Sequence, residues 1–291
     1  MFKGVLPAII TPFQENSVRD LDIGGLRANI DFLLAEGVHG IVPCGSTGES
    51  ATLTFEEHEI VIGETIETVD GRVPVLAGTG SNNTAEAIRF TKAAKDLGAD
   101  GVLVISPYYN KPNRSGLIKH YESLANLDIP VVMYNVPGRT GQNLPVDLVC
   151  ELARHPNIVG IKEASGNITQ VSEIIEGTQD EDFLLLSGDD AMTLPMLALG
   201  GHGVISVAAN VEPALMVQLY ERYSEGKIQE ARNIHYALSP LMRAMFIDTN
   251  PIPVKKAVGL RGMAAGPVRL PLDDLDEEKV KNLAGVLARY D

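Results

Sequence analysis

Tryptophan is absent from this 291-residue chain and cysteine occurs only twice, at Cys44 and Cys150. The missing indole excludes little. Two distant cysteines in apolar surroundings do not indicate a disulfide framework, and they fit a reducing compartment. No apolar run reaches about 18 residues, the length that a membrane-spanning helix needs. The start, Met1-Phe2-Lys3-Gly4, lacks a signal-peptide layout and leads directly into an apolar run, so a cytoplasmic protein is expected. Basic charge is scarce as well: 24 Lys and Arg face 38 Asp and Glu, a formal net charge of −14. That sign argues against a nucleic-acid surface, which needs clustered cations, and against an anionic membrane. An anionic substrate would therefore have to be met by local positive groups. Metal ligation is not indicated either, because His39, His58, His120, His155, His202 and His235 are scattered without a His-Glu-x-x-His or comparable spacing.

What is present is a rhythm. Short runs rich in Val and Ile alternate with helical stretches, and Gly, Pro, Asn and Ser mark the joints. The runs are Val5 to Ile10, Gly40 to Cys44, Val73 to Ala77, Gly101 to Ser106, Pro130 to Tyr134, Ile158 to Lys162, Phe183 to Ser187 and Gly203 to Ala208. Near-continuous apolar strands imply a sheet covered on both faces. Between them, Leu21 to Glu36 has helical spacing and ends at Gly37, Thr54-Phe55-Glu56-Glu57 opens a helix with a capping-box pattern, and Asn83 to Leu97 and Ser115 to Leu127 read alike. Eight such units over residues 1–230 predict an α/β fold, a (β/α)8 TIM barrel, with a doubly wound open sheet as the alternative. Residues 231–291 read as a helical C-terminal extension, broken at Asn250-Pro251 and rich in Gly and Pro from Gly259 to Pro271.

A barrel of this kind places its chemistry at the C-terminal ends of the strands, and the unusual polar residues accumulate there. After the second run comes Gly45-Ser46-Thr47-Gly48-Glu49-Ser50. Its hydroxyls and backbone N–H groups suit a carboxylate, although an ordinary turn reads the same way, and no Lys follows at phosphate-loop spacing. Pro107-Tyr108-Tyr109 closes the fourth run, and paired tyrosines there are often packing residues. Tyr134 closes the fifth, and Arg139 follows in the loop, where it suits a two-pronged carboxylate contact or a plain surface ion pair. Lys162 ends the sixth run among aliphatic neighbours. Desolvation there disfavours its charged form, and a neutral amine is the form that attacks a carbonyl; a solvated strand end is the plainer reading of Lys162 taken alone. Glu56-Glu57-His58-Glu59 reads as a solvated acidic helix face, and Asp189-Asp190 as caps of a helix start.

Taken in order, Gly45-Ser46-Thr47-Gly48-Glu49, Pro107-Tyr108-Tyr109, Tyr134-Asn135-Val136-Pro137 and Gly160-Ile161-Lys162-Glu163 resemble the pyruvate-dependent class I aldolase superfamily of dihydrodipicolinate synthase and N-acetylneuraminate lyase. The resemblance runs from Gly4-Val5-Leu6-Pro7-Ala8 to the C-terminal helices. Within the superfamily, Gly138-Arg139-Thr140-Gly141 looks like the dihydrodipicolinate synthase branch, where this Arg binds the carboxylate of aspartate-4-semialdehyde. The resemblance implies that Lys162 forms a Schiff base with pyruvate. It further implies that Tyr134, Ser46 and Tyr109 carry protons, that Thr47 and Ile205 contact pyruvate, and that Gly188 lies beside them. No cofactor is implied. Tyr109 reaches the neighbouring subunit's site in this family, so a homotetramer built as a dimer of tight dimers is expected. Ser46 departs from the pattern, since Thr is commoner there. The family's lysine-feedback site is matched by Ser50, Ala51, His58, Asn82, Glu86 and Tyr108, but Phe55 stands where lysine-sensitive members carry His or Trp, which implies weak or no feedback. The rival readings are a sister aldolase acting on sialic acid or a 2-keto-3-deoxy sugar acid, which Arg139 disfavours, and a non-catalytic barrel that binds a keto acid.

Overall fold

The apolar runs become seven strands of one parallel sheet in the computed structural model, which describes residues 1–291. They are β1 (Gly4–Pro7), β2 (Leu76–Gly78), β3 (Gly101–Ile105), β4 (Val131–Asn135), β5 (Ile158–Glu163), β6 (Leu184–Ser187) and β7 (Gly203–Ser206). Their order is β1-β7-β6-β5-β4-β3-β2, so each strand after β1 lies beside its successor in the chain. Nine helices connect them or flank them: α1 (Ile23–Ala35), α2 (Phe55–Val69), α3 (Thr84–Leu97), α4 (Arg114–Ala125), α5 (Pro137–Thr140), α6 (Val146–Leu152), α7 (Ile168–Gly177), α8 (Thr193–Ala198) and α9 (Pro213–Ser224). Three more, α10 (Ile228–Ala244), α11 (Ile252–Leu260) and α12 (Glu277–Leu287), follow the last strand.

The expected second strand does not form as a strand. Ile41 and Val42 make isolated parallel bridges, to Val75 on one side and Ala8 on the other. Pro43 has no N–H to give to a ladder, and Cys44 turns the chain with a φ of 54°, so extension stops there. The segment still joins the two ends of the sheet: Val42 N donates to Pro7 O at 2.9 Å and Leu76 N to Ile41 O at 2.9 Å. Similarly, β2 starts later than expected because Pro74 lacks a donor.

Period-two alternation divides the strand residues between two cores. Leu6, Val42, Leu76, Leu103, Val132, Tyr134, Leu184, Leu186 and Ile205 form one cluster on the inner face. Val5, Val102, Val104, Val131, Met133, Ile161, Leu185 and Val204 pack instead against the helices. That double burial is why the runs are apolar throughout. Thr54 and Glu57 form the expected capping box, and Asn83 caps α3 at the expected start of that helix. By contrast, α1 starts at Ile23 and α4 at Arg114, one or two residues from the expected Leu21 and Ser115; Asn113 and Asn167 cap α4 and α7. The reading of Glu56 to Glu59 as a solvated face needs correction. His58 is buried, with its Nε2 2.7 Å from Gly78 O, and Glu57 is held by Arg269 from the end of the chain. Both partners are distant in sequence, so local charge pattern could not show them.

Candidate active site

Register places the central pair. Tyr134 on β4 stands opposite Lys162 on β5, and Asn135 opposite Glu163. Tyr134 and Lys162 face the inner cluster, where the Lys162 amine lies 4.3 Å from the centroid of the Tyr134 ring. Lys162 is only 6% exposed. Burial drives its pKa down to about 7; Asp190 opposes that fall and Arg139 adds to it. The amine is thus free of its proton in a substantial fraction of molecules near neutrality. Burial raises the pKa of the Tyr134 hydroxyl, partly offset by the charge of Arg139 and by a hydrogen bond with Ser46.

The other expected residues arrive from separate strand ends. Ser46, Thr47, Tyr134, Arg139, Lys162 and Gly188 line one cavity of about 170 Å³, together with Asp189, Phe246 and Asn250. Ile205 lies fully buried in the adjoining inner cluster. Gly188 is required sterically: a Cβ there would meet Ala164 Cβ at 2.6 Å and Lys162 Cε at 3.1 Å. Tyr109 is not brought in. It is 89% exposed with a φ of 70°, whereas its neighbour Tyr108 lines the adjoining cavity beside Ser46 and Arg139. A third cavity, of about 290 Å³, is lined by Ser50, Ala51, Phe55, His58, Glu86 and Tyr108. Asn82 touches its edge by donating to Tyr108 O at 3.2 Å. Phe55 fills part of the wall, with the Arg89 guanidinium 4.1 Å over its ring.

Three contributors were not foreseen. Asn250, flagged only as part of a helix break, donates from Nδ2 to Thr47 Oγ1 at 3.0 Å and accepts from Arg139 Nη2 through its carbonyl at 2.8 Å. Asp190 is buried and accepts from Ser206 Oγ, Val207 N and Ala208 N, tying the end of β6 to the end of β7. Asp189 alone caps its own turn, through Ala191 N, so the reading of both residues as local caps holds for one of them. Glu163 is fully buried and accepts from Asn135 Nδ2, Gln170 Nε2 and Ser165 N, which fastens β5 to β4 behind the Tyr134–Lys162 pair. No group of three or more His, Cys, Asp or Glu side chains gathers as a metal site, and no helix is long and apolar enough to cross a membrane.

Chemically, the cavity offers a desolvated amine, a phenol and a small hydroxyl in one lining, and a guanidinium at the rim. Those groups suit a keto acid and a second anionic substrate. Comparison with known proteins shows the family. The profile of the dihydrodipicolinate synthetase family matches residues 1–289. A 4-hydroxy-tetrahydrodipicolinate synthase from Methanoculleus marisnigri is 73% identical over 290 residues, covering 100% of both chains. A crystal structure of a dihydrodipicolinate synthase superposes with a TM-score of 0.95 at 51% identity, over 99% of each chain. A monomeric dihydrodipicolinate synthase variant gives 0.96 at 41% identity, covering 99% of this chain and 96% of its own.

Proposed function

The chain belongs to the dihydrodipicolinate synthetase family, and on that premise we propose how its residues perform the family's reaction. The enzyme is a lyase of the 4-hydroxy-tetrahydrodipicolinate synthase type, which condenses pyruvate with L-aspartate-4-semialdehyde in lysine biosynthesis through diaminopimelate. The neutral Lys162 amine attacks the pyruvate ketone, water leaves, and an iminium forms. The iminium draws electrons from the methyl group, which loses a proton to become an enamine. That carbon attacks the aldehyde of the semialdehyde, whose own amine then displaces Lys162 by transimination and closes the ring. Tyr134 and Ser46, whose hydroxyls line the same cavity, relay the protons. The hydroxyl and backbone N–H groups of Ser46 and Thr47 receive the pyruvate carboxylate, with Ile205 and Gly188 shaping the pocket. Arg139 at the rim receives the carboxylate of the semialdehyde.

The observation that carries this reading is the buried Lys162 amine beside Tyr134, held near a pKa of about 7. Borohydride reduction in the presence of pyruvate should fix a pyruvate-derived adduct on Lys162. Lys162→Ala should show neither adduct nor turnover; an adduct elsewhere, or none in the parent enzyme, sinks the Schiff-base mechanism.

Four finer readings complete the proposal. The Ile41-Val42 bridges close the sheet into an eight-stranded barrel spanning residues 1–230, with residues 231–291 as its helical extension. The exposed Tyr109 enters the site of a second subunit, which favours a homotetramer assembled from tight dimers. The enzyme works in the cytoplasm, in keeping with two free cysteines. The cavity lined by Ser50, Ala51, His58, Glu86 and Tyr108, with Asn82 at its edge, is the position of the lysine-feedback site, and Phe55 weakens it. Steady-state assays should then show little inhibition by lysine; strong inhibition would refute that role for Phe55.

A further inference from the structure

Behind the Ser46–Thr47 turn lies a buried ion pair that touches no proposed substrate. Glu49 Oε1 accepts from Lys255 Nζ at 2.7 Å, and the two side chains are 1% and 2% exposed. Glu49 Oε2 accepts from Arg269 N at 2.9 Å. Lys255 also donates to Pro267 O at 2.9 Å and lies 4.1 Å from the centroid of the Phe13 ring. The Arg269 guanidinium is likewise 4.1 Å from that ring, and it reaches Thr52 O at 3.0 Å and Glu57. One acidic residue from the active-site turn is thus held by a single cation, Lys255 of α11, and by a backbone N–H of the loop that follows that helix.

The turn has reason to need such a clamp. Cys44 and Glu49, its two ends, both have a φ of 54°, a left-handed conformation that side-chain-bearing residues adopt at a cost. Glu49 N donates to Ser46 O at 3.3 Å, so displacement of Glu49 moves Ser46 directly. The same extension supplies Asn250, which donates to Thr47 Oγ1. A buried ion pair adds little net stability over apolar side chains of similar volume, because desolvation of both charges offsets their attraction. What such a pair does provide is a fixed direction: a carboxylate with both oxygens occupied cannot rotate freely, whereas packed methyl groups leave the turn several positions.

We propose that Lys255, Glu49 and Arg269 are positioning residues that hold the Ser46–Thr47 turn against the C-terminal extension, so that its hydroxyls meet pyruvate and Tyr134. The inference rests on the reading of Ser46 and Thr47 as the pyruvate-handling turn. It gives the extension a part in catalysis.

The test uses the full-length enzyme with Glu49→Gln, which keeps the volume but not the charge, and Lys255→Arg, which keeps the cation. A third variant, Glu49→Leu with Lys255→Met, replaces the pair by apolar groups and serves if Glu49→Gln does not fold. Three readouts are compared: KM and kcat for each substrate, exchange of pyruvate methyl protons with deuterated water, and borohydride trapping at saturating pyruvate. Glu49→Gln or the double variant should lose about tenfold to a hundredfold in kcat/KM for pyruvate and in methyl exchange, the range expected when reacting groups shift by about an ångström. Trapping at Lys162 should persist at saturation, and Lys255→Arg, in which a cation still meets Glu49, should keep most of the parental kcat/KM. Wild-type kinetics in both variants that lack the Glu49 carboxylate would overturn the proposal. So would a loss that is equal in every readout and follows the folded fraction, since that describes a purely structural pair. Failure of trapping in the parent enzyme would instead overturn the Schiff-base reading, which keeps the two failures apart.

Discussion

Lys162 shows what a single buried amine costs and provides. Burial lowers its pKa from 10.5 to about 7. Between those values the unfolded chain holds a proton that the folded chain has released, so this residue makes stability rise with pH across that window; below about pH 7 its full cost is felt. Lys162→Met should therefore raise the thermal midpoint most at pH 6 and progressively less towards pH 10, a trend that calorimetry across pH can check. In the parent enzyme the rate of iminium formation should climb about tenfold per pH unit below pH 7 and level off above it, measurable by rapid trapping with borohydride. A flat profile would mean that the amine does not titrate in this range. The sequence pointed to Lys162 because an ammonium-bearing residue closes an apolar run. It could not point to Asn250, since asparagine before proline reads simply as a helix break; only folding sets its amide against Thr47 and its carbonyl against Arg139.

Among the elements, the strand ends rather than the helices carry the precision of the site. Asp190 satisfies three donors from the β7 end, Ser206 Oγ, Val207 N and Ala208 N. Asp190→Ala would leave all three buried without an acceptor, and about 2–4 kcal/mol of stability should be lost. Chemical denaturation should show a lower midpoint at unchanged slope; an unaffected midpoint would show that solvent replaces the carboxylate at no cost. Glu163 does comparable service on the outer side of β5, where it fastens Asn135 of β4. The strands themselves were legible from apolar runs and glycine and proline punctuation. The shortened second run was not, because its Val and Ile content reads as strand while Pro43 and the positive φ of Cys44 end the ladder early. Short-range pattern identifies what a segment prefers, and the neighbour on either side decides how far it extends.

On the scale of the whole molecule, two properties bear on function, net charge and assembly. The net charge of −14 belongs to the chain as a whole; the cavity has the Arg139 guanidinium in its lining, which on the proposed reading meets a substrate carboxylate. The exposure of Tyr109 makes its proposed role testable through subunit mixing. In a tight dimer in which each site uses its own Lys162 and the partner's Tyr109, co-expressed Lys162→Ala and Tyr109→Phe subunits form hybrids with one intact site. Random pairing should then restore about a quarter of parental activity. No recovery above the separate variants would place Tyr109 in its own subunit's site or outside catalysis.

The sequence alone determined the alternation of strands and helices, the residue types at the strand ends and the family they resemble, because hydrophobic periodicity and turn chemistry are local properties. Only the tertiary structure decided that Lys162 lies against Tyr134, that Asp190 and Glu163 brace neighbouring strands, and that the C-terminal extension reaches the Ser46–Thr47 turn through Asn250 and Lys255. Those relations join positions up to 206 residues apart. Their existence depends on desolvation and hydrogen-bond geometry, which a linear pattern does not encode.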